Sequence, residues 1–302
     1  MIAVEVKNLF KSYGEIRAVD DFSFSANDGE ILAVVGPDGA GKTSTFRAAC
    51  GLIKFDSGEI HISNFDVTRE YDKIKPLLGY MPQIFSLYPD LTVEENFDFY
   101  AGLFGLEHGE LDDKKELLYG FSGLGPFHNR RASALSGGMK QKLALSCALI
   151  HDPRVLILDE PTTGVDPLSR KQFWDILRNL RSRGTAILVS TPYMDEVSLA
   201  DRAIFIYGGR KLAEGTPEQL TQKFKGTVYR VDVTLTSLQM EEMNKIAGIF
   251  SRRFGSSLHI YIPESRKIDD YDDELKKVGI TSDMTNLIKP ELEDAFIQLM
   301  SK

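Results

Sequence analysis

Residues 36–44 read GPDGAGKTS. Gly36, Gly39 and Gly41 free the backbone to wrap closely, so that N–H groups along Asp38, Ala40 and Ser44 can point at a polyphosphate. Lys42 carries a charge suited to β- and γ-phosphates, and the Thr43 hydroxyl suits a magnesium ion. The spacing fits G-x-x-x-x-G-K-[ST], with the aliphatic ILAVVG before it and TSTFRAACGLI after it. A strand in front and a helix behind are what that motif requires, and glycines in a ligand-free turn would not need the full pattern. The stretch therefore predicts binding of a nucleoside triphosphate. A second cluster, VLILDE at 155–160, ends an apolar run in two carboxylates. Asp159 could hold the hydration shell of Mg²⁺, and Glu160 could orient or deprotonate an attacking water. Asp-Glu at a strand end is commonplace alone; behind a phosphate loop it points to hydrolysis. A third, LSGG at 135–138, opens a helix that Ser136 can cap, with Gly137 and Gly138 leaving the backbone open to an anion. Since the first loop already satisfies one triphosphate, the second anion site would serve a nucleotide held by another copy.

Such a set works only if strand ends meet. ILAVVG, VLILDE and TAILVST (185–191) are continuous aliphatic runs, the pattern of parallel strands buried on both faces. Helical stretches separate them, notably 169–184, which predicts an α/β P-loop core. Ahead of it, IAVEVKNL and FSFSA, with turns at Tyr13-Gly14 and Asp28-Gly29, predict an N-terminal antiparallel β subdomain. Residues 86–150 are rich in helix formers and read as a helical insertion. After Gly226, VYRVDVTL and LHIYIP alternate like strands around a helical SLQMEEMNKIAGIF, and PELEDAFIQL (290–299) reads as an amphipathic helix. The expected organisation is a nucleotide-binding domain over 1–225 and a small α+β accessory domain over 226–302, with its own core and no residue that suggests chemistry.

The 302 residues are 42% hydrophobic and 26% charged, an ordinary globular mixture. A net charge of −8 argues against nucleic-acid binding. Cys50 and Cys147 lie in apolar helical settings, so a reducing compartment fits better than a disulfide framework. The opening MIAVEVKNLF lacks the apolar core of a signal peptide, and no apolar run reaches the roughly 18–20 residues of a membrane span. Work at a membrane would need another chain to cross it.

Taken whole, LSGGMKQKLALSCALIHDPRVLILDEPTTGVDP (135–167) resembles the ATP-binding cassette family, whose LSGGQ signature works across a head-to-tail dimer. Tyr13 in KSYG resembles that family's adenine-stacking aromatic, Gln83 in YMPQ its glutamine linking metal, water and helical insertion, and Asp166 in PTTGVDP its partner-facing aspartate. The resemblance covers residues 1–225 and implies ATP and Mg²⁺ as ligands. It implies a homodimer or heterodimer of ATPase subunits, an integral membrane permease as partner, and a cytoplasmic, peripheral place on the inner face of the membrane. The segment TVEENFDFYAGLFGL and the C-terminal helix resemble ATPase subunits of bacterial drug, lipid or polysaccharide exporters.

Several positions depart from the pattern. Asp38 stands where Asn is common, Met139 replaces the signature Gln, and Val165 replaces Leu. Pro192 in VSTPYMDE occupies the place of the switch histidine that contacts the γ-phosphate. Two expectations follow: a working ATPase in which Glu160 suffices, with Thr191 lending a hydroxyl, or a degenerate site paired with an active subunit. A soluble cassette ATPase that remodels ribosomes or DNA is the rival class, disfavoured by a single cassette and the absence of a basic face.

Overall fold

The computed structural model describes residues 1–300, the His108 side chain excepted, and divides into two compact units, Met1–Pro217 and Glu218–Lys302. In the first unit the elements run β1 (Ile2–Tyr13), β2 (Ile16–Asn27), β3 (Ile31–Val35), α1 (Lys42–Ala49), β4 (Ser57–Ile62), β5 (Phe65–Asp66), α2 (Tyr71–Ile74) and β6 (Leu78–Met81). Then come α3 (Val93–Leu103), α4 (His108–Ser122), α5 (Gly137–Leu149), β7 (Val155–Asp159), α6 (Pro167–Ser182), β8 (Ala186–Thr191), α7 (Met194–Val197), β9 (Arg202–Tyr207) and β10 (Arg210–Gly215).

These strands form two sheets. One is antiparallel in the order β2-β1-β4-β5; the other runs β10-β9-β3-β8-β7-β6, parallel from β9 to β6 with β10 antiparallel at its edge. Every residue of β3, β7 and β8 is buried, as their unbroken aliphatic runs require. One face of the parallel sheet shares a core with the antiparallel sheet and α1, around Phe22, Phe46, Ile60 and Val34. The helix α6 buries Phe173, Trp174, Ile176, Leu177 and Leu180 at helical spacing. Between β6 and β7 the described residues contain no strand, so α3, α4 and α5 make up the inserted helical part.

The second unit begins earlier than the boundary expected near 225. The helix α8 (Pro217–Thr221) opens a segment whose Phe224 packs with Val228, Tyr261 and Ala295 of the appendage. That apolar contact, invisible to a composition shift, moves the division forward. Its strands β11 (Thr227–Val231), β12 (Phe250–Phe254), β13 (Ser257–Ile262) and β14 (Thr285–Ile288) form an antiparallel sheet in the order β12-β13-β11-β14. The helices are α9 (Ser237–Asn244), α10 (Asp272–Lys277) and α11 (Leu292–Met300). The expected helix through Phe250 is shorter: α9 stops at Asn244, Gly248 takes φ 86°, and Phe250 already lies in β12.

The strand β13 alternates. Leu258, Ile260 and Ile262 enter a core with Met243, Leu275 and Ile280, while His259 and Tyr261 turn to the opposite face and meet α11. There Asp294, fully buried, accepts from His259 Nδ1 at 2.9 Å, from the Tyr261 hydroxyl at 2.8 Å and from the Glu291 N–H at 2.7 Å. The appendage thus has its own core, as expected, and also a buried polar cluster that the sequence did not reveal.

Candidate nucleotide-binding site

In a parallel sheet the loops that leave the carboxyl ends of neighbouring strands share one crevice. Here β3 lies beside β8, β8 beside β7 and β7 beside β6, with Val35 opposite Thr191, Asp159 opposite Ser190 and Met81 opposite Leu158. Strand order therefore delivers the phosphate loop, the Ser190-Thr191 corner, the Asp159-Glu160 pair and Gln83 to one place. A cleft of about 350 Å³ opens there, lined by Tyr13, Asp38, Gly39, Ala40, Gly41, Lys42, Thr43, Ser44, Gln83 and Glu160.

The loop needs its glycine at 41. Gly41 takes φ 104°, and a Cβ there would lie 2.3 Å from the Ala18 carbonyl oxygen. Gly36, also backbone-crowded, and the exposed Asp38 bound the same turn. The Lys42 ammonium is buried and held three ways: by the carbonyls of Gly36 at 2.8 Å and Pro37 at 3.0 Å, and by Glu160 Oε1 at 3.1 Å. Tyr13 closes the outer end of the cleft, half exposed, with its hydroxyl 3.5 Å from Ser44 Oγ and the Lys11 ammonium 4.8 Å over its ring.

Both carboxylates are sequestered, Asp159 fully and Glu160 to 5% exposure. Asp159 Oδ1 accepts from Thr43 Oγ1 at 3.2 Å and Ser190 Oγ at 2.7 Å. Its Oδ2 is buried with no partner among the described residues. Burial pushes the Asp159 carboxyl above its ordinary value against the pull of those two hydroxyls, and the nearby Glu160 adds to the rise. An orphaned carboxylate oxygen next to a threonine hydroxyl is the donor set a hard divalent cation uses, so the residues present fit Mg²⁺. Glu160 has a left-handed backbone, φ 48°, that turns its side chain back into the cleft. Its Oε2 accepts from Gln83 Nε2 at 2.9 Å and Thr163 Oγ1 at 3.4 Å.

At the corner of the missing histidine, Thr191 is committed elsewhere. Its hydroxyl donates to Glu196 Oε2 at 2.5 Å and accepts the Tyr193 N–H at 3.0 Å. Glu196, 1% exposed, also accepts from Thr162 at 2.6 Å and lies 3.6 Å from Arg170 Nε. From β8 it is the hydroxyl of Ser190, a residue sequence reasoning passed over, that reaches the site, bonded to the Asp159 carboxylate and the Glu160 N–H. Its signal was a polar side chain inside a buried parallel strand.

Four expected residues, Ser136, Gly137, Gly138 and Asp166, stand outside this cleft. Ser136 caps α5 by accepting the Met139 N–H at 3.3 Å, and Asp166 caps α6 by accepting the Ser169 N–H at 2.9 Å with Pro167 at the first position. A Cβ on Gly137 would make only an ordinary contact, 3.8 Å from the Gly164 carbonyl oxygen, whereas a Cβ on Gly138 would lie 2.7 Å from Ser169 Oγ. Gly138 is thus required by packing of α5 on α6, and Gly137 is the exposed one of the pair.

A phosphate loop, a carboxylate pair and helices inserted between them, arranged in this way, are the architecture of an ATP-binding cassette. Residues 19–163 match the ABC transporter family. The chain is 40% identical over 217 residues to the probable multidrug ABC transporter ATP-binding protein YbhF of Escherichia coli, covering 72% of this chain and 38% of that protein. It therefore spans well under half the length of that relative. It is 32% identical over 306 residues to the Nod factor export ATP-binding protein I of Rhizobium etli, covering 100% of this chain and 94% of the relative. Among solved structures, an ATP binding subunit of an ABC transporter superposes with a TM-score of 0.67 at 29% identity, covering 74% of this chain and 93% of that one. A dimer of the cassette MJ0796 in a post-hydrolysis state, bound to ADP and Pi, gives 0.64 at 26% identity over 70% of this chain and 98% of its own. The chain belongs to the ABC transporter family, among its ATP-binding proteins.

Proposed function

We propose that this chain binds and hydrolyses ATP and that the hydrolysis drives a separate membrane permease, in the export direction. The observation that carries the reading is the convergence of Lys42, Asp159, Glu160 and Gln83 on one cleft. The loop from Gly36 to Ser44 holds the phosphates, Lys42 neutralises them, and Tyr13 stacks on the adenine. Thr43, Asp159 and Gln83 would hold Mg²⁺, which when bound supplies positive charge at the phosphate oxygens. Glu160 accepts the proton of the attacking water, and Gln83 orients that carboxylate. In the resting site Glu160 is tied to Lys42, so the arriving triphosphate must draw the ammonium away before the carboxylate can accept a proton.

Ser136, Gly137 and Asp166 all lie at exposed corners, which supports their use on the nucleotide of a second subunit in a head-to-tail dimer. Among the described residues no helix is long and apolar enough to cross a membrane, so the permease supplies the path. A groove of about 200 Å³, lined by Cys50, Leu52, Tyr80, Tyr100, Phe104 and His151, lies where the inserted helices meet the core. Its apolar walls suit a short helix from the permease, which would hold this subunit at the inner face of the membrane. Export is supported by Nod factor export proteins, whose match runs through the accessory unit as well.

The test is single-turnover hydrolysis with protein in excess and Glu160→Gln as the blank. Phosphate release that the Gln variant abolishes is the expected result. ATP bound but intact in both proteins would instead favour the second reading, a degenerate subunit with an active partner, for which Pro192 is the motive. In that case Pro192→His should restore turnover.

A further inference from the structure

Ser190 is fully buried in a strand otherwise made of aliphatic side chains at its core. A hydroxyl there destabilises the sheet unless both its donor and acceptor capacities are used. Both are. Its Oγ donates to Asp159 Oδ1 at 2.7 Å and accepts the Glu160 backbone N–H at 2.9 Å. One atom thus ties the last residue of β7 and the residue that follows it from the neighbouring strand. The two ties have separate consequences. The first occupies Oδ1 of Asp159, so that the unpartnered Oδ2 is the oxygen left for a cation. The second anchors the amide of Glu160, a residue whose φ of 48° is uncommon for a side chain of this kind and persists only where neighbours hold it. With that amide released, the backbone can relax towards an ordinary strand, and the carboxylate swings away from Lys42 and Gln83.

We propose that Ser190 is the positioning residue of this site: through one hydroxyl it fixes the orientation of Asp159 and the left-handed turn of Glu160, so that hydrolysis proceeds with Pro192 at the switch corner. The proposal rests on the reading of Glu160 as the base. Thr191 cannot serve in its place, because its hydroxyl already donates to Glu196 and accepts from Tyr193.

The experiment compares Ser190→Thr with Ser190→Val, side chains of equal shape that differ in the hydroxyl, beside Ser190→Ala, all in the full chain. Single-turnover rate at saturating ATP, affinity for a fluorescent ATP analogue without metal, and deuterium exchange of the peptide spanning residues 155–161 are measured. The expected result is a Thr variant close to wild type. The Val and Ala variants should be slower in the chemical step by about tenfold to a hundredfold, as for a misplaced reacting group. Their metal-free nucleotide affinity should be unchanged and the Glu160 amide should exchange faster. A Val variant that hydrolyses and exchanges like the Thr variant overturns the proposal. So does a loss of nucleotide affinity in step with rate, which would mark general distortion of the sheet. Should Ser190→Ala fail to fold, the volume-matched pair still decides. If wild type is no faster than Glu160→Gln, the hydrolytic reading fails, and this one with it; a clear wild-type rate that Val shares sinks this one alone.

Discussion

Consider Lys42→Met in the nucleotide-free protein. Methionine keeps the aliphatic stem and removes the ammonium, so what changes is the charge beside Glu160. That pair is close to dry, with side chains 3% and 5% exposed and 3.1 Å apart. Removing one member of a buried pair typically costs about 3–5 kcal/mol, because the other charge is left unpaired. Glu160 keeps Gln83 and Thr163 as donors and borders a cleft that admits water. The loss should therefore fall at or below the low end, about 2–3 kcal/mol. Glu160→Gln is milder, since Lys42 retains the Gly36 and Pro37 carbonyls and gains an amide oxygen, and should cost about 1 kcal/mol. The double variant lacks both charges and should be more stable than the sum of the two losses by about 1–2 kcal/mol. For a unit of this size each kcal/mol moves the midpoint by about 2–4 °C, so Lys42→Met should melt about 4–12 °C below wild type. Scanning calorimetry without nucleotide reads this in the transition that added ATP raises in the wild type. A Lys42→Met protein that melts with wild type, or a cycle whose losses simply add, would refute the ion pair as a feature of the resting site.

Tyr13→Ala should weaken nucleotide binding about tenfold through loss of base stacking, while Tyr13→Phe stays near wild type because the contact to Ser44 is long; equilibrium titration with a fluorescent ATP analogue checks both. His151, hydrogen-bonded to the Leu78 carbonyl and stacked on Phe104 at 3.7 Å, is held by burial below its ordinary value of 6.5. The unfolded chain then binds more protons in that window, so stability is complete above 6.5 and falls as pH drops below it. Urea midpoints taken across about pH 5–7.5 should show that slope, and His151→Gln should flatten it. In the accessory unit, Asp294→Ala strands the His259 and Tyr261 donors and should cost about 3 kcal/mol, read by urea in the transition that ATP does not move.

Much of the site was legible because its chemistry is local. GPDGAGKTS carries its own turn glycines, cation and hydroxyl, and VLILDE announces both a buried strand and the acids at its end. What escaped depends on partners distant in sequence. Ser190 reads as the tail of an aliphatic run until β8 is laid beside β7, opposite Asp159. Asp294 reads as an acidic residue near the start of an amphipathic helix until β13 presents His259 and Tyr261, some 35 and 33 residues upstream. The strands β6 and β9 were also missed: LGYM is four residues long with a glycine inside, and RAIFIY opens on an arginine. The Thr191 hydroxyl, expected at the active carboxylate, was drawn off by Glu196, a residue whose burial no local pattern signals.

The placement of β6 has a mechanical consequence. Among the described residues it is an edge strand, paired with β7 alone, and its first residue, Leu78, offers its carbonyl to His151 in the wall of the groove. Two residues past the end of the strand at Met81, in a bend, Gln83 touches Glu160. A strand hardly shortens along its axis, so β6 passes a shift of Leu78 on to the bend that carries Gln83. The contact of Gln83 with Glu160 is 2.9 Å long, and a displacement of about 1 Å carries it past the reach of a hydrogen bond. A body seated in the groove therefore needs to move Leu78 by less than the width of an atom to change what Glu160 is holding.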